Sequence, residues 1–328
     1  MSYRIKWRVD EATKRANLLA EIHDDRTTLD ALPELIRLVV KSSIPEGGWT
    51  AENTSGRAGR KLQRDLIKLQ RLVRAKAYKA YAPVLQKYMV GQVERVIAQA
   101  LTAYRRIYGV RAPDSHNFPQ SPHVLLWSQA IQEEIGEGSE LVLATGPITE
   151  SVGLRLYENI GIVFGKDPTP QQLGSLKVRV GETARQVTRI NETTRNLLAA
   201  KVRLSVSRGE TVFETAEWIR NNMPQIATNR VPTITRTEMG RVQDTAVKVA
   251  MRDSKVVSHI TVMGCEAIER DGPHFQGFPT CNIRNVPIGY ERELVFHPNH
   301  TGMIVASGYY HQDGRTPNLP LGGGPYSD

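Results

Sequence analysis

The chain is short of several things that narrow its chemistry. It has two cysteines in 328 residues, which gives no disulfide framework and suits a reducing cytoplasm. Aromatic residues make up 6%, so stacking platforms for single-stranded nucleic acid are not expected. No apolar run approaches the roughly 18 residues of a membrane span, and no membrane partner is expected. The first residues, Met1-Ser2-Tyr3-Arg4-Ile5-Lys6-Trp7, lack the apolar core of a signal peptide. There is no P-loop, no Ser-His-Asp order, no Cys-x-x-Cys pair and no internal repeat. An enzyme is therefore not the expected class.

What is present fits a globular protein. The length allows two domains and a sizeable core. Hydrophobic and charged fractions of 40% and 23% are ordinary for such a chain. The balance of charge is not neutral: the net value is +9, with a pI near 9.6. A polyanionic partner is one reading and simple solubility is the other.

Residues Arg8 to Lys41 read as two helices, with Pro33 in the first turn of the second. Ser42 to Gly59 reads as a loop. A long helix is expected from Arg60. Leu62, Leu66, Leu69, Val73, Ala77 and Ala80 recur in steps of three and four as an apolar stripe. The other side carries Arg60, Arg64, Lys68, Arg71 and Lys79. This basic face has no aromatic interleaving, which suits contact with the phosphates of DNA without sequence reading. A solvated outer helix face explains the same residues. Pro83 should kink or break the helix. A second stripe runs Met89, Val93, Val96, Ile97, Leu101, Tyr104 and Tyr108, and Gly109 is a stop. Arg111 to Ser121 is a connector and Val124 to Gly136 a short helix. Glu140 to Phe164 mixes helical spacing with the breaker Gly146-Pro147.

Lys166-Asp167-Pro168-Thr169-Pro170 is the expected boundary. It divides a helical region, 1–165, from a second unit, 166–311. A Gly/Pro-rich tail, 312–328, cannot fold alone and is expected to order on a partner. In the second unit one helix ends at Gly209. Thr211 and Glu214 have capping-box spacing for the next, which Pro224 ends. A third starts near Thr233. The run Val256 to Met263 alternates like a strand. The fold class is mainly α, with long helices in the N-terminal part and a small C-terminal α+β unit.

The segment Arg230 to Ala306 has the most specific order of parts. Thr235-Arg236-Thr237-Glu238 opens a helix, Asp271-Gly272-Pro273 forms a loop, Cys281 comes next, and Phe296-His297-Pro298-Asn299-His300 closes it. This order resembles the phage Mu F-like minor head proteins, also called head morphogenesis proteins. His300 stands where that family usually has Cys, and Phe275 where many members carry a cysteine. The resemblance implies a minor head protein that docks on the portal inside the capsid and assists head assembly, genome packaging or delivery. The implied partners are the portal protein, the major capsid protein, scaffold and packaged double-stranded DNA. The implied location is the virion interior near the portal, after assembly in the host cytoplasm.

His274, Cys281, His297 and His300 form a candidate metal set. Zinc favours such donors on turns, and a structural zinc would staple a segment with little core. Against it stand a single thiolate and a spacing that matches no common zinc motif; packed or exposed side chains are the alternative. His297-Pro298-Asn299-His300 also suggests a metal-dependent His-Asn-His nuclease. Such an enzyme needs a helix after the motif, and the sequence offers Thr301-Gly302 and a Gly/Pro-rich tail. The consecutive short helices could be a DNA-reading helix-turn-helix, but Arg236, Arg241, Lys248 and Arg252 are spread around the third. Thr235 or Thr237 can cap that helix start, Glu238 suits its dipole, and Arg236 could pair with Asp244 or Asp271 as structural glue.

Overall fold

The protein is represented by a computed structural model that describes residues 33, 36–37, 44–46, 48–54, 56–109, 120–135, 139–185, 188–263, 283–290, 294, 300 and 302–319. Of the two expected N-terminal helices, only Pro33, Ile36 and Arg37 are described, all helical. Most of that reading, and the loop at Asp271-Gly272-Pro273, lie outside the described residues.

Among the described residues the elements are α1 (Arg57–Tyr108), α2 (Gln120–Glu134), α3 (Ser139–Val163), α4 (Pro170–Arg185), α5 (Thr188–Ser207) and α6 (Val212–Asp253). Three strands complete the order: β1 (Val257–Met263), β2 (Val286–Pro287) and β3 (Met303–Tyr309). The class is mainly α, with long N-terminal helices and a small C-terminal sheet, as the sequence suggests. The sheet order is β2-β1-β3 and both pairings are antiparallel.

Proline does less damage than the sequence suggests. Pro83 lies inside α1, Pro147 inside α3, and Pro224 and Pro232 inside α6. The expected break at Pro83 is absent, because Tyr81, Leu85 and Met89 on either side are almost fully buried. The expected helix end at Pro224 and new start at Thr233 are likewise replaced by one helix. Ile219, Met223, Ala227, Val231, Thr235 and Met239 step along a single buried stripe. Packing along that stripe outweighs a proline penalty of about 3 kcal/mol.

The chain divides into two compact units. The first comprises Met1–Lys79, Ile148–Gly181 and Arg236–Asp328; the second comprises Ala80–Pro147 and Glu182–Thr235. The Lys166–Pro170 stretch falls inside the first unit. The helices α1, α3, α4 and α6 each contain residues of both units.

In the first unit the sheet is covered on both faces. Every residue from Val257 to Val262 is buried, so the strand does not alternate between core and solvent as its sequence implies. Residues 303–309, not assigned to a strand from sequence, form β3, whose outer edge is capped by α1. Gln63 Nε2 donates to the Ala306 carbonyl (2.9 Å), Gln70 Nε2 to that of Ile304 (2.6 Å) and Arg74 to that of Gly302 (3.3 Å). These are alternate carbonyls of one strand, as a sheet edge presents them. Gln243 of α6 joins the set through Gln70 Oε1 and Met303 Sδ. At Gly153 in α3, an added Cβ would sit 2.7 Å from a Val180 methyl and 3.4 Å from one of Val242. The glycine is the condition for the close approach of α3, α4 and α6.

In the second unit, Val93, Ile97, Trp127, Ile131, Leu198, Val202, Ile219 and Met223 form the core. The capping box at the start of α6 is present: Glu214 N–H donates to Thr211 Oγ1, and Thr211 N–H donates to Glu214. The turn before it uses Gly209 at φ +70°. Lys201 is buried with its ammonium 2.9 Å from Glu210 and 4.6 Å from the Trp218 ring centre. That contact, with a hydrogen bond from Ser205, holds the Glu210 carboxyl below its ordinary value.

Candidate nucleic-acid interface

The first part of α1 has two faces of opposite character. Leu62, Leu66, Leu69, Val73 and Ala77 are buried, as the apolar stripe implies, whereas Ala80, the last residue expected on it, is exposed. The five candidate DNA-contacting residues, Arg60, Arg64, Lys68, Arg71 and Lys79, are all exposed. At 3.6 residues per turn they fall within roughly 100° of one another. Between Arg57 and Lys79 there are nine Lys and Arg residues against one acidic residue, Asp65. Arg60, Arg64, Lys68 and Arg71 make no ion pair among the described residues. The charge is thus left facing solvent instead of being spent within the fold. Arg74, about 60° round the helix from Arg71 toward the buried side, is the contrast: it is half-buried and donates to Gln243 at 2.8 Å.

Three residues on this face escape the sequence reading. Arg57 and Lys61 are exposed and lie within the same arc at helical spacing. Arg57 precedes the start expected at Arg60, whereas the helix begins at Arg57; Lys61 lies inside the expected helix, and its spacing from Arg64 and Lys68 places it on the same face. Tyr78 is half-buried and sits on the line through Arg60 and Arg71. The face therefore carries one aromatic residue among its cations, where the sequence reading saw none.

The stretch Thr235-Arg236-Thr237-Glu238 is not a helix start. It lies in the interior of α6, so none of the four caps that helix. Thr235 and Glu238 are buried, Arg236 is exposed and Thr237 is half-buried. The expected ion pair from Arg236 to Asp244 is not formed; eight positions apart, the two are about 12 Å apart along the helix axis. Arg241, one turn beyond Glu238, takes that carboxylate at 3.1 Å. Burial pushes the Glu238 carboxyl above its ordinary value, and the Arg241 charge opposes the shift.

Of the candidate zinc set, His274, Cys281 and His297 lie outside the described residues. His300 is described and buried. An added Cβ at Gly302 would lie 2.6 Å from its Nε2, and one at Gly240 would lie 3.4 Å from its carbonyl oxygen. The ring is therefore closely packed just before β3. Among the described residues no three His, Cys, Asp or Glu side chains gather as metal ligands. Beyond His300 the chain enters a strand at Met303, not the helix that a His-Asn-His nuclease requires. Nor does α6 with α5 make a short-helix reader, since α6 runs 42 residues.

An open groove of about 560 Å³ lies between α1 and α2 in the second unit. Across it Arg95 pairs with Glu134 at 3.0 Å and the Gln99 amide donates to Glu133. Among the described residues no helix is long and apolar enough to cross a membrane. No protein-family model, curated protein or solved structure matches the chain.

Proposed function

We propose that this protein is a non-enzymatic structural component of a tailed-bacteriophage head. In this reading it is a minor head protein that docks at the portal inside the capsid and assists head assembly, genome packaging or delivery. It touches the packaged double-stranded DNA without reading its sequence. The observation that carries the DNA part is the solvent-facing row of Arg60, Arg64, Lys68 and Arg71, which has no ion pair among the described residues. A row of cations on one helix face neutralises phosphates but offers nothing shaped to a base edge. The virion part is supported by the order of motifs from Thr235 to His300, which resembles the Mu F-like minor head proteins.

Quantitative mass spectrometry of purified phage particles, before and after release of DNA, tests the assignment. The chain should be present at low copy and should stay with the portal-containing fraction. Its complete absence from particles whose host cells express it would overturn the proposal.

A further inference from the structure

We propose that the basic face of α1 binds duplex DNA as a rigid rod lying along one helical turn, with Arg57 and Lys61 as contact residues beside the five already named. The inference rests on the DNA contact proposed above and specifies its geometry. Arg57, Arg60, Lys61, Arg64, Lys68, Arg71 and Lys79 are all exposed and share an arc of roughly 100°. From Arg57 to Lys79 the α-helical rise amounts to roughly 33 Å. One turn of B-DNA is about 34–36 Å, or 10–10.5 base pairs.

A straight rod of that length cannot follow one groove, because the groove winds away from it. It crosses the two phosphate backbones in turn. The cations are grouped to match: Arg57, Arg60, Lys61 and Arg64 at one end, Lys68 and Arg71 in the middle, and Lys79 at the far end. Their spacing along the axis is roughly 16–21 Å from Arg57 to the middle group and 33 Å to the last. The helix is anchored along this stretch by its buried side. Gln63, Gln70 and Arg74 are tied to the alternate carbonyls of Ala306, Ile304 and Gly302, in and just before β3, and Leu66 and Val73 are fully buried between them. A flexible single strand presents no such fixed spacing. One half-buried tyrosine, Tyr78, is too little for base stacking along its length. The occupant that fits is a duplex at least one turn long.

The test is binding of the full chain to blunt duplexes of 6, 8, 12, 16 and 24 base pairs and to single strands of matched length, measured by fluorescence anisotropy over a range of salt. Affinity per site should rise more than tenfold between 6 and 12 base pairs and then level off, and single strands should bind more weakly than duplexes. Arg57→Gln with Lys61→Gln should lower the salt slope by about 1.8, at about 0.9 per phosphate contact, with the circular dichroism unchanged. Equal affinity for 6 and 24 base pairs, equal affinity for single strands, or an unchanged slope in the double variant would overturn the rod geometry while leaving a DNA-binding face. If wild type does not bind DNA, or if Arg60→Glu, Arg64→Glu and Lys68→Glu together leave binding intact, the underlying DNA contact itself fails.

Discussion

Gln70 donates its side-chain amide to the main-chain carbonyl of Ile304 at 2.6 Å, and the bond is fully buried. The two residues are 234 positions apart, so this bond ties the long helix to the last strand. Gln243 then donates to Gln70 Oε1 at 3.2 Å, which fixes the amide's orientation. The carbonyl edge of β3 would otherwise be an open template for another strand.

Replacing Gln70 with Leu keeps the volume and leaves the Ile304 carbonyl buried without that donor. The expected cost is about 1–3 kcal/mol, read from the denaturant midpoint. Hydrogen exchange should speed up in β3 before it does so in the second unit. A variant as stable as wild type, with β3 equally protected, would show that the edge does not depend on this bond.

Two glycine substitutions should have opposite signs. Gly153→Ala puts a methyl 2.7 Å from Val180, and overpacking of that kind costs about 1–3 kcal/mol. Gly174→Ala, also helical, meets nothing within 4 Å and should stabilise by up to about 1 kcal/mol through helix propensity. Thermal unfolding of the two variants beside wild type checks both. A neutral or stabilising Gly153→Ala would contradict the close approach of α3, α4 and α6.

Two buried groups should make stability depend on pH in opposite directions. Burial raises the Glu238 carboxyl above its ordinary 4.5. The folded chain then holds this proton more tightly than the unfolded chain, so stability is lost as pH rises from 4.5 toward the raised value. Burial lowers the His123 imidazole from 6.5, against the opposing charge of Glu210. The stability tied to neutral His123 is present above 6.5 and is lost as pH falls below it. Urea midpoints across pH 4 to 8 should show Glu238→Gln gaining on wild type as pH rises and His123→Gln gaining as it falls. Parallel curves for either variant would remove that residue from the account.

Much of the helical content was legible because amphipathic stripes announce themselves locally. The buried positions Leu62, Leu66, Leu69 and Val73 follow from spacing alone, and so does the Thr211–Glu214 capping box. The continuity of α1 and α6 through Pro83, Pro224 and Pro232 was not legible. Local propensity argues for a break there, and only packing on both sides of each proline overrides it. The strand at Met303–Tyr309 was hidden by its setting between a His-Pro motif and a Gly/Pro-rich tail, though Ile304-Val305-Ala306 is a short apolar run that could have marked it. The cations on α1 were readable as a face from sequence. That Arg60, Arg64, Lys68 and Arg71 make no ion pair among the described residues was not, since spacing along one helix does not say which carboxylates the fold brings near it.

The central claim is that the exposed cations of α1 meet duplex DNA through its phosphates. The most direct measurement is the salt dependence of duplex binding by wild type and by the triple variant Arg60→Glu, Arg64→Glu, Lys68→Glu, with folding monitored in parallel. Wild type should bind different sequences alike and lose affinity steeply with salt, at a slope of about −0.9 per phosphate neutralised, while the folded triple variant should lose binding. Binding by that variant at wild-type strength and slope would contradict the claim.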